Sequence, residues 1–269
     1  MIGIFPLTKN ENITAVLPLP NDKASWENLN IMFSTAKGTV RRNALSDFVK
    51  IQSSGKIAMK LSDDDKLIGV HTCEEKENDV FLSTKDGKCL RFPISNVRKF
   101  TGRNSVGVRG IKLSKDDTVI SMYILKHAKF TIDERNDYLR IANAIRRKEL
   151  RRSMPYSKLS KETKLSEEKF IQMESLEEFI LSVADKGYGK RSSAYEYRIT
   201  SRGGKGIANM AVSKKTGKVV SSFPVNEKDD VMLIAGTGKL IRSPVNKIRI
   251  AGRTTQGVTL FKVGLSEKV

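Results

Sequence analysis

Cysteine, histidine and tryptophan are almost missing from this chain. Its 269 residues hold two cysteines, Cys73 and Cys89, too few for a disulfide framework. Both sit in apolar, strand-like runs, which suits buried thiols in a reducing compartment. The two histidines, His71 and His127, have no cysteine or carboxylate at ligand spacing, so no metal site is expected. No apolar run approaches a membrane span, and no secretory leader follows Met1. Gly203-Gly204-Lys205-Gly206 lacks the spacing and the following Ser or Thr of a nucleotide phosphate loop. Asp63-Asp64-Asp65 lacks the further ligands of a calcium loop and reads as a turn. With no catalytic constellation and no cofactor expected, the chain reads as a binding module. Negative charge is also scarce: 30 acidic residues face 49 Lys and Arg, a formal net charge of +19. An excess that large points to a polyanionic partner, nucleic acid first and an anionic membrane surface second.

What the chain has is a repeat of about fifty residues. Four segments share one grammar: an apolar run, a glycine turn, then an arginine. They are Ile31–Arg42 around Gly38, Val80–Arg91 around Gly87, Phe179–Arg191 around Gly187, and Val231–Arg242 around Gly238. A second glycine follows at a near-constant distance and leads another apolar strand: Gly55, Gly107, Gly206 and Gly257. Polar turns such as Ser62–Asp65 and Ser114–Asp117 then lead into Leu67–Val70 and Val119–Met122. The unit is about four short strands with tight turns, the size of a propeller blade.

The expected fold is therefore all-β, a propeller-like domain over 1–269 with one helical insertion. Residues 1–20 read as the end of a preceding blade, with Ile13–Leu17 as its closing strand. Blades are expected at 21–72, 73–125, 178–228 and 229–269, with the insertion at 126–177. Thr131-Ile132-Asp133-Glu134 reads as a capping box, and Ile132, Leu139, Ala142 and Ile145 follow at roughly helical spacing. Arg146, Arg147, Lys148, Arg151 and Arg152 cluster near that helix's C-terminus, and Pro155 stops it. A weaker helix is expected from Ser166 to Met173. The insertion reads equally as a phosphate contact or as a solvated excursion, and its deletion is expected to leave the blades folded.

The basic residues fall in rows. Arg42, Arg91, Arg191 and Arg242 each lie four residues after a first glycine. Arg103, Arg202 and Arg253 lie four residues before a second glycine, with Ile51 breaking the row. Lys60, Lys112 and Lys262 form a third row, broken by Ala211. In a ring of blades, equivalent positions share a circumference, so these rows predict a curved cationic track for duplex DNA. DNA presents a phosphate about every 1.7 Å of axis, and its stiffness demands many distributed contacts to hold a bend. No stripe of aromatics recurs in register, which disfavours base stacking on single strands. The competing reading of any one arginine is that it solvates a strand end after a hairpin turn.

Gly102–Leu113, Ser53–Leu61, Gly187–Arg191 and Gly252–Val258 resemble segments of the C-terminal domain of the DNA gyrase A protein. The resemblance covers nearly all of the chain except 126–177. It implies a six-bladed β-pinwheel that binds duplex DNA on its outer edge, wraps it, and supports negative supercoiling by an ATP-dependent type II topoisomerase. It also implies partners: the cleavage domain of the same polypeptide, which carries the catalytic tyrosine, and the separate ATPase protein of the holoenzyme. The location implied is cytoplasmic and nucleoid-associated, with no membrane partner. Carried onto this chain, the DNA-binding set gains Arg109, Lys190 and Lys205. The family's hallmark Gln-Arg-Arg-Gly-Gly-Lys-Gly box is absent; Arg202-Gly203-Gly204-Lys205-Gly206 keeps part of it in a later blade. Only four repeats are visible, so two more are expected ahead of Met1. The alternatives are the corresponding C-terminal domain of topoisomerase IV, or a propeller that scaffolds other proteins.

Overall fold

The structure is a computed structural model. It describes residues 13–50, 55, 57–127, 129–149, 163–264 and 268–269. Ile51, Arg151, Arg152 and Pro155, and with them the expected helix stop, lie outside the described residues.

Fourteen strands are defined among the described residues. β1 (Asn30–Thr35), β2 (Thr39–Ala44) and β3 (Leu67–Cys73) belong to the first repeat. The second holds β4 (Asn78–Thr84), β5 (Lys88–Pro93), β6 (Val108–Arg109) and β7 (Val119–Lys126). The third holds β8 (Phe179–Ala184), β9 (Tyr188–Ser193), β10 (Ile207–Ala208) and β11 (Val219–Val225). The fourth holds β12 (Asp230–Ile234), β13 (Leu240–Pro244) and β14 (Val258–Thr259).

The sheets do not follow the repeats. Their strand orders are β3-β1-β2-β6, β7-β4-β5-β10, β11-β8-β9-β14 and β12-β13. Each repeat keeps its longer strands and lends a two-residue strand to the blade before it: β6 to β2, β10 to β5, β14 to β9. The sequence suggested four strands within each unit; the second-glycine strand instead crosses to its neighbour. No strand forms at residues 13–20 or 57–61, where a closing strand and a glycine-led strand were expected.

Backbone bonds repeat at each junction. Phe100, Thr200 and Ala251 donate their N–H groups to the carbonyls of Arg42, Arg91 and Arg191, at 2.8, 2.9 and 2.8 Å. The same close approach accounts for the second-glycine landmark. Gly107 and Gly206 have φ of +109° and +73°, and a Cβ there would lie 2.6 and 2.5 Å from Val40 O and Cys89 O of the preceding blade. Left-handed backbone and a neighbouring carbonyl together leave room only for glycine.

The core lies between blades. Met32, Val80, Phe92 and Met122 join the first and second. Phe81, Leu125, Ile180 and Tyr197 join the second and third. Leu181, Val225, Val231 and Val245 join the third and fourth. Every residue of β1 is buried, because blades cover both faces of an inner strand.

The insertion forms α1 (Ile132–Glu149) and α2 (Glu167–Leu176). Thr131 and Glu134 make the reciprocal capping bonds at 2.7 and 3.2 Å. Ser166 caps α2 by accepting from Lys169 N. Tyr138 is fully buried and clusters with Phe170, Met173 and Tyr195 of the third blade. Tyr195 donates its hydroxyl to Met173 O at 2.9 Å. The two helices are thus packed against the third blade, and deleting them would uncover Tyr195.

Candidate nucleic-acid interface

The first arginine row is inside. Arg91 is 2% exposed. Its Nε donates to Asp79 Oδ2 at 2.8 Å across the hairpin, and its other nitrogens donate to Ala194 O at 2.9 Å and Lys126 O at 2.7 Å. Arg191, 4% exposed, donates to Ile248 O at 2.8 Å and Asn246 O at 3.2 Å and pairs with Glu227. Both reach the 3₁₀ turn of the following blade (Ala194–Glu196 or Val245–Lys247) or the residue beside it. Arg42, also 4% exposed, has no carboxylate across its hairpin and among the described residues pairs with the exposed Glu75, at 3.0 Å. Arg242 alone of the row is exposed, paired with Asp230 of its own hairpin. Arg91 and Arg191 therefore latch adjacent blades, whereas Arg42 is buried at the equivalent place with its Nε left without a hydrogen-bond partner among the described residues. As the fourth residue after the turn, Arg91 and Arg191 point into the blade junction and donate to carbonyls in or beside a 3₁₀ turn.

Lys190 is likewise fully buried, with Nζ donating to Ser192 Oγ at 3.2 Å, Asn209 O at 3.0 Å and Gly252 O at 2.7 Å. Burial pulls its ammonium down to about 7, against a smaller opposing pull from Glu196. Arg41 occupies the same place in the first blade and donates to Ser105 O and Gly102 O of the next repeat. Burial pushes the Cys73 and Cys89 thiols up to about 12, which leaves both protonated and inert.

The second row behaves differently. Arg103, Arg202 and Arg253 are half-exposed. Each donates to the carbonyl of an equivalent residue one blade back: Ile57 at 3.1 Å, Arg109 at 3.0 Å, Ala208 at 2.7 Å. The row is thus held in register by the same bond at successive junctions, with part of each guanidinium facing solvent. Beside it, Lys60, Lys112 and Lys262 are exposed. The N–H groups of Lys60 and Lys112 are fixed by Ser105 O and Gly204 O, at 3.3 and 2.8 Å. Arg109 and Lys205 are exposed in the same strip. Arg202 and Lys205, with Arg198, line a hollow of about 490 Å³ above the glycines of Arg202–Gly206.

A further row was absent from the sequence expectations. Arg98, Arg198 and Arg249 are all exposed. Each lies seven residues after Arg91, Arg191 or Arg242, immediately after a buried Val97, Tyr197 or Ile248. The spacing was available in the sequence. The first repeat hides it with Val49, and the buried–exposed alternation at the end of each hairpin is what reveals it. Among the described residues no group of His, Cys, Asp and Glu could hold a metal ion. No helix among them is long and apolar enough to cross a membrane.

Crossed blades, each completed by the next repeat, with cations repeating at every junction, define a pinwheel-type domain. The chain belongs to the family described as DNA gyrase C-terminal domain, beta-propeller, which matches residues 29–74, 78–126, 178–226 and 229–269. It is 50% identical to the DNA gyrase A protein of Rickettsia bellii (strain RML369-C) over its whole length and 30% of that protein. It is 33% identical to the DNA gyrase A protein of Salmonella typhimurium, covering 24% of it. The chain thus spans less than a third of the curated relatives it matches. Among solved structures, a DNA topoisomerase IV C-terminal domain aligns with a TM-score of 0.70 at 19% identity, over 97% of this chain and 65% of that one. A DNA gyrase A C-terminal domain aligns at 0.64 and 21%, over 97% and 73%. At those identities the likeness is one of fold.

Proposed function

We propose that this chain binds duplex DNA without sequence preference and bends it along its cationic rim, as the DNA-wrapping part of a gyrase A protein. The observation that carries this reading is the register of exposed cations at successive blade junctions, on a chain of net charge +19. The track consists of Lys60, Lys112 and Lys262, of Arg103, Arg202 and Arg253, and of Arg98, Arg198 and Arg249, with Arg109 and Lys205 between them. Phosphates touched in this way release counterions and carry no base information, so binding is salt-dependent and sequence-independent. Arg91, Lys190 and Arg191 contribute by fixing the angle between blades, and so the curvature of the track, while Arg42 lies buried at the equivalent place. In the holoenzyme the chain works beside the cleavage domain of its own polypeptide and the separate ATPase protein, which carry the chemistry of negative supercoiling. Whole-chain identity of 50% to a gyrase A protein favours this over the topoisomerase IV alternative.

The test is charge reversal at Lys60, Lys112 and Lys262 together, with affinity for linear duplex measured across a salt series. Three lost phosphate contacts flatten the slope of log K against log salt by about 2.7. An unchanged slope and affinity would remove these lysines from the track.

A further inference from the structure

The rim loop of the fourth repeat faces the insertion across an open cleft of about 990 Å³. Arg146 and Arg147 of α1 form one wall, and Asn246, Lys247 and Arg249 the other. Two arginines in the cleft are already committed: Arg146 to the buried Glu177, and Arg191 to Glu227. Arg147, Lys247 and Arg249 remain exposed. Arg147 Nε donates back to Asn143 O at 3.1 Å, which holds its guanidinium along the helix. Cations in the last turns of α1 suit the helix dipole. That explains Arg146 and Arg147, but not why Lys247 and Arg249 face them from another blade. Like charges gathered across a cleft repel, and an anion between them removes the repulsion.

We propose that this cleft seats a phosphodiester backbone of the duplex, so that the insertion forms part of the DNA path. The occupant follows from charge and from continuity. Arg249 belongs to the exposed rim row, and the cleft runs on to Gly252 and Thr255, which flank Arg253. A strand leaving the rim at the last junction therefore enters a cleft whose one carboxylate, Glu227, is already paired with Arg191. The other connections of this kind, 74–77 and 226–229, are only four residues long. The DNA path is thus widened where the last turns of α1 face the fourth repeat. This inference rests on the DNA-binding reading and adds a site to it.

The test is the double variant Arg147→Glu/Lys247→Glu in the full chain, against the control Lys23→Glu/Lys76→Glu. All four residues are exposed, and the two variants change net charge equally. Affinity for linear duplex is read between about 50 and 200 mM salt. The cleft variant should flatten the salt slope by about 1.8, a roughly tenfold smaller fall in affinity over that range, and the control should not. Equal behaviour of the two variants, while reversal at Lys60, Lys112 and Lys262 still flattens the slope, overturns the cleft and leaves the rim standing. If the unmodified chain itself shows no salt-dependent affinity for duplex, the DNA-binding reading falls with it.

Discussion

Arg91→Met separates latch from track. The guanidinium is buried against Asp79, itself fully buried, and supplies donors to two carbonyls of neighbouring elements. Methionine keeps much of the side chain's length and none of its hydrogen bonds. Among the described residues the change leaves the Asp79 carboxylate one hydrogen-bond partner, the partly exposed His127, whose Nδ1 lies 2.7 Å away. It also removes the Arg91 donors to Lys126 O and to Ala194 O, the latter keeping only the Tyr197 N–H at 3.3 Å. Removing one partner of a buried ion pair typically costs about 3–5 kcal/mol. At roughly 2–4 °C per kcal/mol for a domain of this size, the melting temperature falls by about 6–20 °C. The assays are denaturant unfolding and, on protein that is still folded, the salt dependence of duplex affinity. The expected result is a large loss of stability with the salt slope unchanged. Stability within about 0.5 kcal/mol of the parent, with a flatter slope, would refute the reasoning and return the first row to the DNA track.

Two further predictions concern the junctions. Lys190 titrates near 7 when folded and near 10.5 when unfolded, so between those values the unfolded state binds more protons and stability rises with pH. The stability that wild type gains between pH 7 and 10 should vanish in Lys190→Met, a difference of a few kcal/mol at about 1.4 kcal/mol per pH unit; parallel pH profiles would contradict it. Gly206→Ala forces a left-handed alanine against Cys89 O and should cost well over about 1 kcal/mol. Gly238→Ala, at φ +84° with no atom within 4 Å, should cost only the dihedral penalty; equal losses in denaturant unfolding would deny the junction contact.

The blade period, the glycine turns and the capping box were legible because each is a local signal. Gly38, Gly87 and Gly187 mark hairpins by their own φ, and Thr131 and Glu134 meet within one helical turn. The strand exchange was not legible. Val108–Arg109 looks the same in sequence whether it pairs within its own repeat or with β2, and only long-range pairing decides. The site suffered from the same gap. Register showed that Arg42, Arg91 and Arg191 are equivalent, but not which way they point. An arginine that repeats to touch phosphate and one that repeats to latch blades give the same spacing. Burial separates them, and it also brings out Arg98, Arg198 and Arg249, which one valine had concealed.

The central claim is that exposed cations in register form a curved track for duplex DNA. Affinity of the unmodified chain for linear duplexes of increasing length, measured at several salt concentrations, tests it most directly. The account predicts that affinity and the steepness of the salt dependence rise together until the duplex spans all the junctions, and then level off. Affinity that is absent, or insensitive to salt and length, would contradict it.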